Sequence, residues 1–362
     1  MIKTVNIKDG ANYAPTSNAK KVVEPGEFMF ASAFLDHGHI YGQTNGLLDA
    51  GATLKWVYDP DLQKVERFLA RYPQAKVADH FETILDDPEI QLVCAAAIPN
   101  RRAKIGLQVM DSGKDYFTDK SPFTTLEQLA EVKAAVLKNG RKYLVYYSER
   151  LHNDAAWQAG ELIAEGNIGR VIQVLNLAPH RLAKATRPDW FFDKAQYGGI
   201  LTDIGSHQVE QFLTYTGCVD ASINFARADN MNNPDKPGLE DFGEISLTGN
   251  DGSSFYARVD WFTPEGMSSW GDGRTFIIGT EGSIEIRKYL DLTRQAPASK
   301  LFLVDGHGEH EIECQDKSGF PYFGRLILDV LHRSERATTQ AHVFKAAEIS
   351  MLAQQLADAR RA

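Results

Sequence analysis

Short apolar runs alternate with segments of helical spacing between residues 28 and 147, and this alternation constrains the fold more than any other feature. The intervening segments, such as DLQKVERFLARY, place apolar residues at helical intervals. Strand, helix, strand units of these lengths predict a parallel sheet with helical crossovers. Five runs have the length and composition of strands buried on both faces: FMFASAFL (28–35), TLKWVYD (53–59), IQLVCAAAI (90–98), KDYFTD (114–119) and KYLVYY (142–147).

The pattern changes after about residue 150, where strand pairs with short turns replace the crossover units. Three hairpins are predicted: EISLTGNDGSSFYARVDWF (244–262), RTFIIGTEGSIEIRKY (274–289) and KLFLVDGHGEHEIEC (300–314). They predict a mainly antiparallel sheet with helices, and the last helix covers about 341–360. We therefore expect an α/β chain with a loose polar leader at 1–26, a first domain at 27–148 and a second at 149–362.

Composition favours a small-molecule partner. A net charge of -9 over 362 residues argues against a nucleic acid, whose phosphates attract a basic surface. Cys94, Cys218 and Cys314 are far apart in sequence, which predicts neither a disulfide framework nor a zinc site and favours a reducing cytoplasm. The opening residues show no apolar signal segment, and the most apolar stretch is far shorter than the roughly 18 residues of a membrane-spanning helix.

The stretch FLDHGHIYGQ (34–43) lies between the first strand and a helix, where a dinucleotide-binding chain has its glycine loop. If Gly38 is the second glycine of G-x-G-x-x-G, Asp36 and Tyr41 replace the first and third. Asp59 follows Gly38 by about 20 residues, the separation expected for an acid on the adenosine ribose. Because a carboxylate accepts ribose hydroxyls and repels a 2'-phosphate, we expect NAD rather than NADP.

Other interpretations of this loop stay open. The charge of Asp36 would repel a diphosphate unless it points away, and His37 or His39 could offset it. A metal site formed by Asp36, His37 and His39 lacks a convincing third ligand, so no metal is predicted. A strand-turn-helix without cofactor, with Asp59 opening a turn beside Pro60, is the remaining alternative.

The segment YGGILTDIGSHQVEQFLTYTG (197–217) is the most informative of the second half. Gly198 and Gly199 give backbone freedom before a helix, and the four-residue separation of Asp203 and His207 puts them on one helical face. A carboxylate that orients an imidazole is suited to general acid-base catalysis. An exposed helix pair or a helix-start cap is the alternative.

With these segments, the chain resembles the glucose-fructose oxidoreductase, inositol dehydrogenase and MocA (Gfo/Idh/MocA) group of NAD(P)-dependent oxidoreductases from about residue 28 to 360. The resemblance implies a Rossmann domain, followed by a domain whose large open sheet often makes oligomer contacts, and hence a homodimer or homotetramer. It rests on FLDHGHIYG, WVYDPD, AAIPN, GKDYFTDKSPFTTLEQL, YYSERLH, GNIGRV and YGGILTDIGSHQVEQF.

The resemblance also implies site residues. Lys120 in DKSPF looks like the E-K-P lysine beside the nicotinamide and the substrate hydroxyl, although Ser121 replaces the proline. His207 looks like a proton-transfer histidine and Asp203 like a substrate-orienting acid. The family's T-P-N-x-x-H appears here as residues 98–103, IPNRRA. The expected cofactor contacts are Asp36, His37, Gly38, His39, Ile40, Asp59, Pro99, Asn100 and Lys120.

Substrate contacts are expected beside this centre. Arg150 and His152 follow the last strand of the first domain, and Arg150 is either a ligand for hydroxyls or carboxylates or an ordinary helix-start charge. The loop HRLAKATRPDWFFD (180–193) combines His180, Arg187 and Trp190, which suit a sugar ring, although its aromatic residues could equally anchor the loop to the core.

Together these features predict an NAD-dependent dehydrogenase that acts on a secondary hydroxyl of a sugar, sugar derivative or cyclitol. Lys120 and the Asp203/His207 pair are expected to meet at one nicotinamide edge. The alternatives are an NAD-using glycosidase or epimerase on the same scaffold, and a non-catalytic sugar- or nucleotide-sensing regulator.

Overall fold

The computed structural model describes residues 9–17, 19–292, 296–297 and 299–360. The chain forms two compact units. Among the described residues, the first unit comprises 11–146 and 319–344, and the second comprises 9–10, 147–318 and 345–360. No described helix is long and apolar enough to cross a membrane.

The five apolar runs of the first half form five of the six strands of a parallel sheet, which confirms the predicted doubly wound, Rossmann-type architecture. The strand order is β3-β2-β1-β4-β5-β6. Runs buried on both faces become the central strands because helices cover each side of the sheet. The strands are β1 (Met29–Ala33), β2 (Thr53–Tyr58), β3 (Lys76–Val77), β4 (Leu92–Ala95), β5 (Asp115–Asp119) and β6 (Tyr143–Tyr146).

Helices of the first unit begin and end where local chemistry favours it. The Asp61 side chain accepts a hydrogen bond from the Gln63 amide at the start of α2, and the Thr125 side chain accepts one from the Gln128 amide at the start of α5. Gly140 ends α5 in the left-handed region at φ 62°. The helices are α1 (His39–Asp49), α2 (Leu62–Arg71), α3 (Phe81–Leu85), α4 (Arg102–Asp111), α5 (Leu126–Asn139) and α11 (Pro321–His332).

The second unit contains an eight-stranded sheet in the order β16-β15-β12-β11-β7-β10-β9-β8, in which only the β7/β10 pairing is parallel. This confirms the predicted large, mainly antiparallel sheet and its three hairpins. Its strands are β7 (Val171–Pro179), β8 (Ala221–Asp229), β9 (Phe242–Gly249), β10 (Ser254–Asp260), β11 (Arg274–Gly279), β12 (Ser283–Arg287), β15 (Lys300–Asp305) and β16 (Gly308–Glu313). A separate pair comprises β13 (Leu290–Asp291) and β14 (Ala296–Pro297).

One face of this sheet is covered by α10, which packs against β7, β9 and β10. The stack of Phe212 on Phe255, with ring centroids 4.9 Å apart, is part of this layer. On the other face, alternate side chains such as Leu175, Phe276 and Phe302 stay partly accessible. The helices are α6 (Ser148–Leu151), α7 (Asp154–Ala164), α8 (Lys194–Tyr197), α9 (Ile200–Asp203), α10 (Gly205–Thr216) and α12 (Gln340–Ala359).

The described part of the leader is packed rather than loose. It runs in the same direction as α1: the Ser17 amide donates to the Asp49 carboxylate (2.7 Å), and the Val22 amide donates to the Ala50 carbonyl (3.0 Å). Asn45 then donates from its side-chain amide to the carbonyls of Ala14 and Pro15. Side-chain hydrogen bonds from one helix therefore hold a segment whose polar composition suggested no order.

Candidate functional site

The loop after β1 is shaped by close approach rather than by an unusual backbone. Gly38 is the residue before α1, with φ -64° and ψ -11°, values that any residue adopts. A methyl group at Gly38 would lie 2.2 Å from the Ala11 carbonyl oxygen and 2.3 Å from Oδ1 of Asn12. The absence of a side chain therefore gives oxygen atoms direct access to the start of α1, as a diphosphate site requires.

Asp36, which replaces the first loop glycine, is neutralised within this unit. One of its carboxylate oxygens pairs with the Lys64 ammonium of α2, and the other accepts from the Ile98 amide at 3.3 Å. The sequence suggested His37 or His39 as a residue that could offset this charge, and the structure adds Lys64 as its ion-pair partner. Its pairing removes the main electrostatic objection to an anion at the loop.

Asp59 is buried and joins the ends of β1 and β2. Its carboxylate accepts from the Leu35 amide (2.6 Å) and from the Asp61 amide (2.8 Å). Burial raises the pKa of this carboxyl, while these amides and Lys64 oppose the rise. The two bonds support the turn-opening alternative, and a carboxylate with about four acceptor sites has capacity left for a ribose hydroxyl.

Asp119, at the end of β5, is the centre of the polar cluster in this unit and was missed by sequence reasoning. It is fully buried and accepts from Nδ1 of His39 (2.8 Å), the Lys120 amide (2.8 Å) and Arg102 (3.2 Å). Burial alone would raise the pKa of this carboxyl, but His39 and Arg102 hold it well below its usual range. Its position immediately before Lys120 was the only sequence signal.

His37, His39 and Asp119 offer ligand atoms that all lie within 4.8 Å of one another, so the third member of the potential metal group is Asp119 and not Asp36. Two of these atoms are already hydrogen-bonded, since Nδ1 of His39 lies 2.8 Å from Asp119, and Nδ1 of His37 accepts from the His39 backbone amide at 3.1 Å. Burial, followed by His39, lowers the pKa of His37, and Lys120 and Arg102 lower it further despite Asp119. The nearby positive charge favours an anion over a cation.

Lys120 is buried, with 6% of its surface exposed, and the backbone around it is held by Arg102. The Arg102 guanidinium donates to the carbonyls of Lys120 and Ser121. Pro99, which follows β4, begins a 3-10 turn, and the Asn100 carbonyl accepts from Gln128 at 3.0 Å. Of the expected cofactor contacts, Asp36, His37, Gly38, His39, Ile40, Asp59, Pro99, Asn100 and Lys120 all lie in the first unit.

Asp203 and His207 lie on successive short helices, α9 and α10, which Ile204 separates. Both side chains are buried, and the His207 ring makes an edge contact with Tyr147 at 6.1 Å. Burial lowers the pKa of Arg187, and the charge of Asp203 opposes that change together with Asp9. Asp203 therefore acts electrostatically on a residue of the 180–193 loop.

Glu149 of α6 is a buried carboxylate close to His180, and sequence reasoning missed it. It accepts from Gln208 (2.9 Å) and from the Lys288 ammonium (3.1 Å), and Nε2 of His180 lies 3.4 Å away. Burial alone would raise its pKa, but Lys288, His207 and His180 hold it well below the usual range. Its only signal was its place in SERLH, and Lys288 had none.

The other predicted substrate contacts have protein partners. Arg150 forms a buried ion pair with Glu210 on α10, so the guanidinium expected at the substrate binds a carboxylate of its own unit. His152 ends α6, and its amide donates to Ser148. The His180 ring lies beside Trp270, with centroids 4.7 Å apart.

The aromatic residues of the 180–193 loop anchor it. The Arg187 guanidinium lies over the rings of Phe191 (4.4 Å) and Trp261 (5.0 Å), and Phe191 is buried. Trp190 meets Phe191 at 6.0 Å and stays partly accessible. Phe191 therefore anchors the loop to the core, whereas the Trp190 side chain is partly accessible to a ligand.

Comparison with known proteins explains this arrangement. Residues 33–147 match the model of an oxidoreductase family with an NAD-binding Rossmann fold, and residues 157–285 match the GFO/IDH/MocA C-terminal domain. A crystal structure from Erwinia carotovora atroseptica, described only as an oxidoreductase, is 46% identical with a TM-score of 0.88 and covers 91% of this chain and 99% of its own. The chain belongs to the GFO/IDH/MocA family. The sequence resemblance is thereby confirmed.

More distant GFO/IDH/MocA relatives have named activities. The scyllo-inositol 2-dehydrogenase (NADP(+)) IolW of Bacillus subtilis is 26% identical over 42% of each chain. The D-xylose dehydrogenase of Paenarthrobacter nicotinovorans is 24% identical over 40% of this chain and 38% of its own. The matched region thus spans about two fifths of these curated relatives. A levoglucosan dehydrogenase solved with NADH shares the fold at 15% identity, with a TM-score of 0.78 over 92% of this chain and 98% of its own.

Proposed function

We propose that this protein is an NAD(P)-dependent dehydrogenase that acts on a secondary hydroxyl of a sugar, sugar derivative or cyclitol. The observation that carries the proposal is a pair of buried carboxylates with lowered pKa values: Asp119, which immediately precedes Lys120, and Glu149, whose pKa is lowered by the charges of Lys288, His207 and His180. Buried charges are costly unless they serve structure or chemistry, and such groups concentrate at functional sites. The inositol and xylose dehydrogenases among the relatives support the substrate class.

The first unit holds the cofactor. When bound, the nicotinamide supplies the acceptor for a hydride. The start of α1 and Gly38 receive the diphosphate, with Asp36 neutralised by Lys64. Asp59 accepts a ribose hydroxyl, which favours NAD over NADP. Because one relative is named for NADP(+), titration with NADH and NADPH is the direct test, and equal affinity would contradict the preference for NAD.

The chemical step divides between two groups. Lys120 would hold the hydroxyl oxygen and His207 would take the hydroxyl proton, while the hydride from the carbon would pass to a bound nicotinamide, so that the alcohol becomes a ketone. Asp203 orients the imidazole or a neighbouring hydroxyl. Glu149 acts as a positioning residue, because its fixed negative charge stabilises the imidazolium that forms on His207. Arg187, His180 and Trp190 contact the remainder of the sugar.

An assay with purified protein, NAD⁺ and a panel of polyols and aldoses tests the reaction. Net NADH accumulation with at least one polyol supports a dehydrogenase. Product formation without NADH accumulation would instead indicate the transient redox chemistry of a glycosidase or epimerase. Saturable NAD binding without turnover across the panel would favour a regulator.

Two further properties belong to this proposal. The partly accessible side chains of the open sheet face, including Leu175, Phe276, Ile278 and Phe302, form an apolar surface suited to a second copy of the chain. Light scattering on the wild type and on Phe302→Asp tests this, with loss of the dimer or tetramer expected for the variant. The three cysteines are buried and unpaired, which fits a cytoplasmic protein.

A further inference from the structure

Residues 11 and 12 of the leader occupy the space beside Gly38. The Ala11 carbonyl oxygen and Oδ1 of Asn12 would lie 2.2 Å and 2.3 Å from a methyl group added to that glycine. In a dinucleotide-binding loop, the second glycine lacks a side chain so that diphosphate oxygens can approach the backbone at the start of the helix. Two oxygen atoms of the chain itself therefore lie where the oxygens of the ligand are expected.

The leader is held in this place by specific contacts. Ala14 is buried, with 2% of its surface exposed. Its carbonyl accepts from Asn45 (3.0 Å) and from Arg71 (3.3 Å), and the Pro15 carbonyl accepts from Asn45 at 3.2 Å. The Ala11 and Asn12 oxygens thus lie at the end of an anchored segment.

The preceding two residues, Asp9 and Gly10, belong to the second unit and lie beside groups assigned to the substrate. Gly10 packs on Trp270, because a methyl group at Gly10 would lie 2.9 Å from that ring. The charge of Asp9 opposes the effect of burial on the pKa of Arg187, as Asp203 does.

We propose that the leader is an intramolecular competitor, in which residues 11 and 12 exclude the dinucleotide diphosphate from Gly38 until they are displaced. The inference rests on the proposed function, since it assumes that the diphosphate binds at Gly38. Displacement requires the release of contacts that hold the leader, among them the hydrogen bonds from Asn45 to the Ala14 and Pro15 carbonyls. The apparent affinity for the cofactor then depends on the fraction of molecules in which the leader does not cover Gly38.

The test compares NADH affinity between the full-length wild type and Ala14→Glu, in which a charged side chain cannot fit the buried position. If the leader covers the loop in about nine of ten molecules, its release tightens NADH binding about tenfold. Thr16→Glu is the matched control, because it adds the same charge at an exposed leader position. Fluorescence titration measures the affinities, and thermal melting shows that each variant is folded.

Asn45→Ala provides a second variant in case Ala14→Glu does not fold. It removes the donor to Ala14 and Pro15, while the Tyr72 hydroxyl keeps the Tyr41 carbonyl as its acceptor. Amide hydrogen exchange of residues 11–17 gives a readout independent of activity, and exchange should rise when NADH is added to the wild type. This rise, together with tighter binding in either variant and none in Thr16→Glu, supports competition.

The competition is overturned if Ala14→Glu and Asn45→Ala bind NADH with wild-type affinity and NADH leaves the exchange of residues 11–17 unchanged or slows it. Cofactor binding itself would remain intact in that case. Failure of the wild type and all variants to bind NADH or NADPH would overturn the proposed function, and the competition with it. The two failures are thus distinguishable.

Discussion

Each unit of this protein contains a fully buried carboxylate at the centre of a polar cluster, but the two carboxylates are held in different ways. Asp119 is fixed by its own neighbour Lys120 and by α4, through Arg102. Glu149 is fixed by residues far along the chain, Gln208 and Lys288. Only the backbone contact between Asp119 and Lys120 is local in sequence, whereas His39, 80 residues from Asp119, and both partners of Glu149 are brought in by the fold.

The largest expected effect is on catalysis by His207, the group whose imidazolium Glu149 is proposed to stabilise. His207→Ala should lower kcat by two to four decades, because a positioned proton acceptor contributes about that much to catalysis, and it should leave NADH affinity nearly unchanged. Steady-state kinetics and NADH titration measure the two quantities. An unchanged kcat would show that His207 is not the proton acceptor, and Glu149 would then have no catalytic group to position.

Glu149→Gln should lower kcat by about ten- to hundredfold and destabilise the fold by about 3–5 kcal/mol, because it leaves the buried Lys288 ammonium uncompensated. The double variant Glu149→Gln/Lys288→Met should regain much of the stability without regaining the rate. Glu210→Gln is the matched control: it breaks the buried Arg150 ion pair of the same unit and should cost stability with a smaller loss of kcat. Equal losses of kcat in the control would reduce Glu149 to a structural role.

Both carboxylates should make the protein sensitive to acid. Their folded-state pKa values lie below those of unfolded Asp and Glu, so their stabilising contribution is complete above about pH 4 and is lost as pH falls through the folded pKa values. Urea unfolding of the wild type should show a falling free energy below about pH 4, and Glu149→Gln should show a shallower decline. A steeper decline in that variant contradicts the assignment.

The smallest effect is expected at the loop of the first unit. Lys64→Met leaves Asp36 without its cation and should weaken NADH binding by about three- to tenfold through repulsion of the diphosphate. Lys55→Met serves as the control, because Lys55 lies on β2, the strand before α2, and its ion pair is with Asp87 rather than Asp36. If NADH affinity does not change in Lys64→Met, the Asp36 carboxylate does not repel the diphosphate measurably.

Sequence patterns predicted the architecture well because burial on both strand faces leaves long apolar runs, which mark β1, β2, β4, β5 and β6. They missed β3 (Lys76–Val77), which has exposed side chains and only two residues, and α3. Hairpin turns were visible from glycine and aspartate, as at Asn250 to Ser253.

The site was predicted less completely. Individual residue types were visible, whereas their partners depended on tertiary contacts. Lys64 as the cation for Asp36 and Lys288 as the cation for Glu149 lie 28 and 139 residues away from them. The sequence left Arg150 as either a substrate ligand or a helix-start charge, and its partner Glu210 lies 60 residues away. The polar leader gave no pattern, since its order comes from the Asn45 and Asp49 side chains.

Arg102 has a consequence for how such proteins diverge. One guanidinium serves the carbonyls of Lys120 and Ser121 and the carboxylate of Asp119 at once. A lysine cannot reproduce that planar fork, and a neutral residue would strand the buried acid. Positions 102 and 119 should therefore change together among descendants of this sequence, and a lineage that retains one without the other should have rebuilt the end of β5.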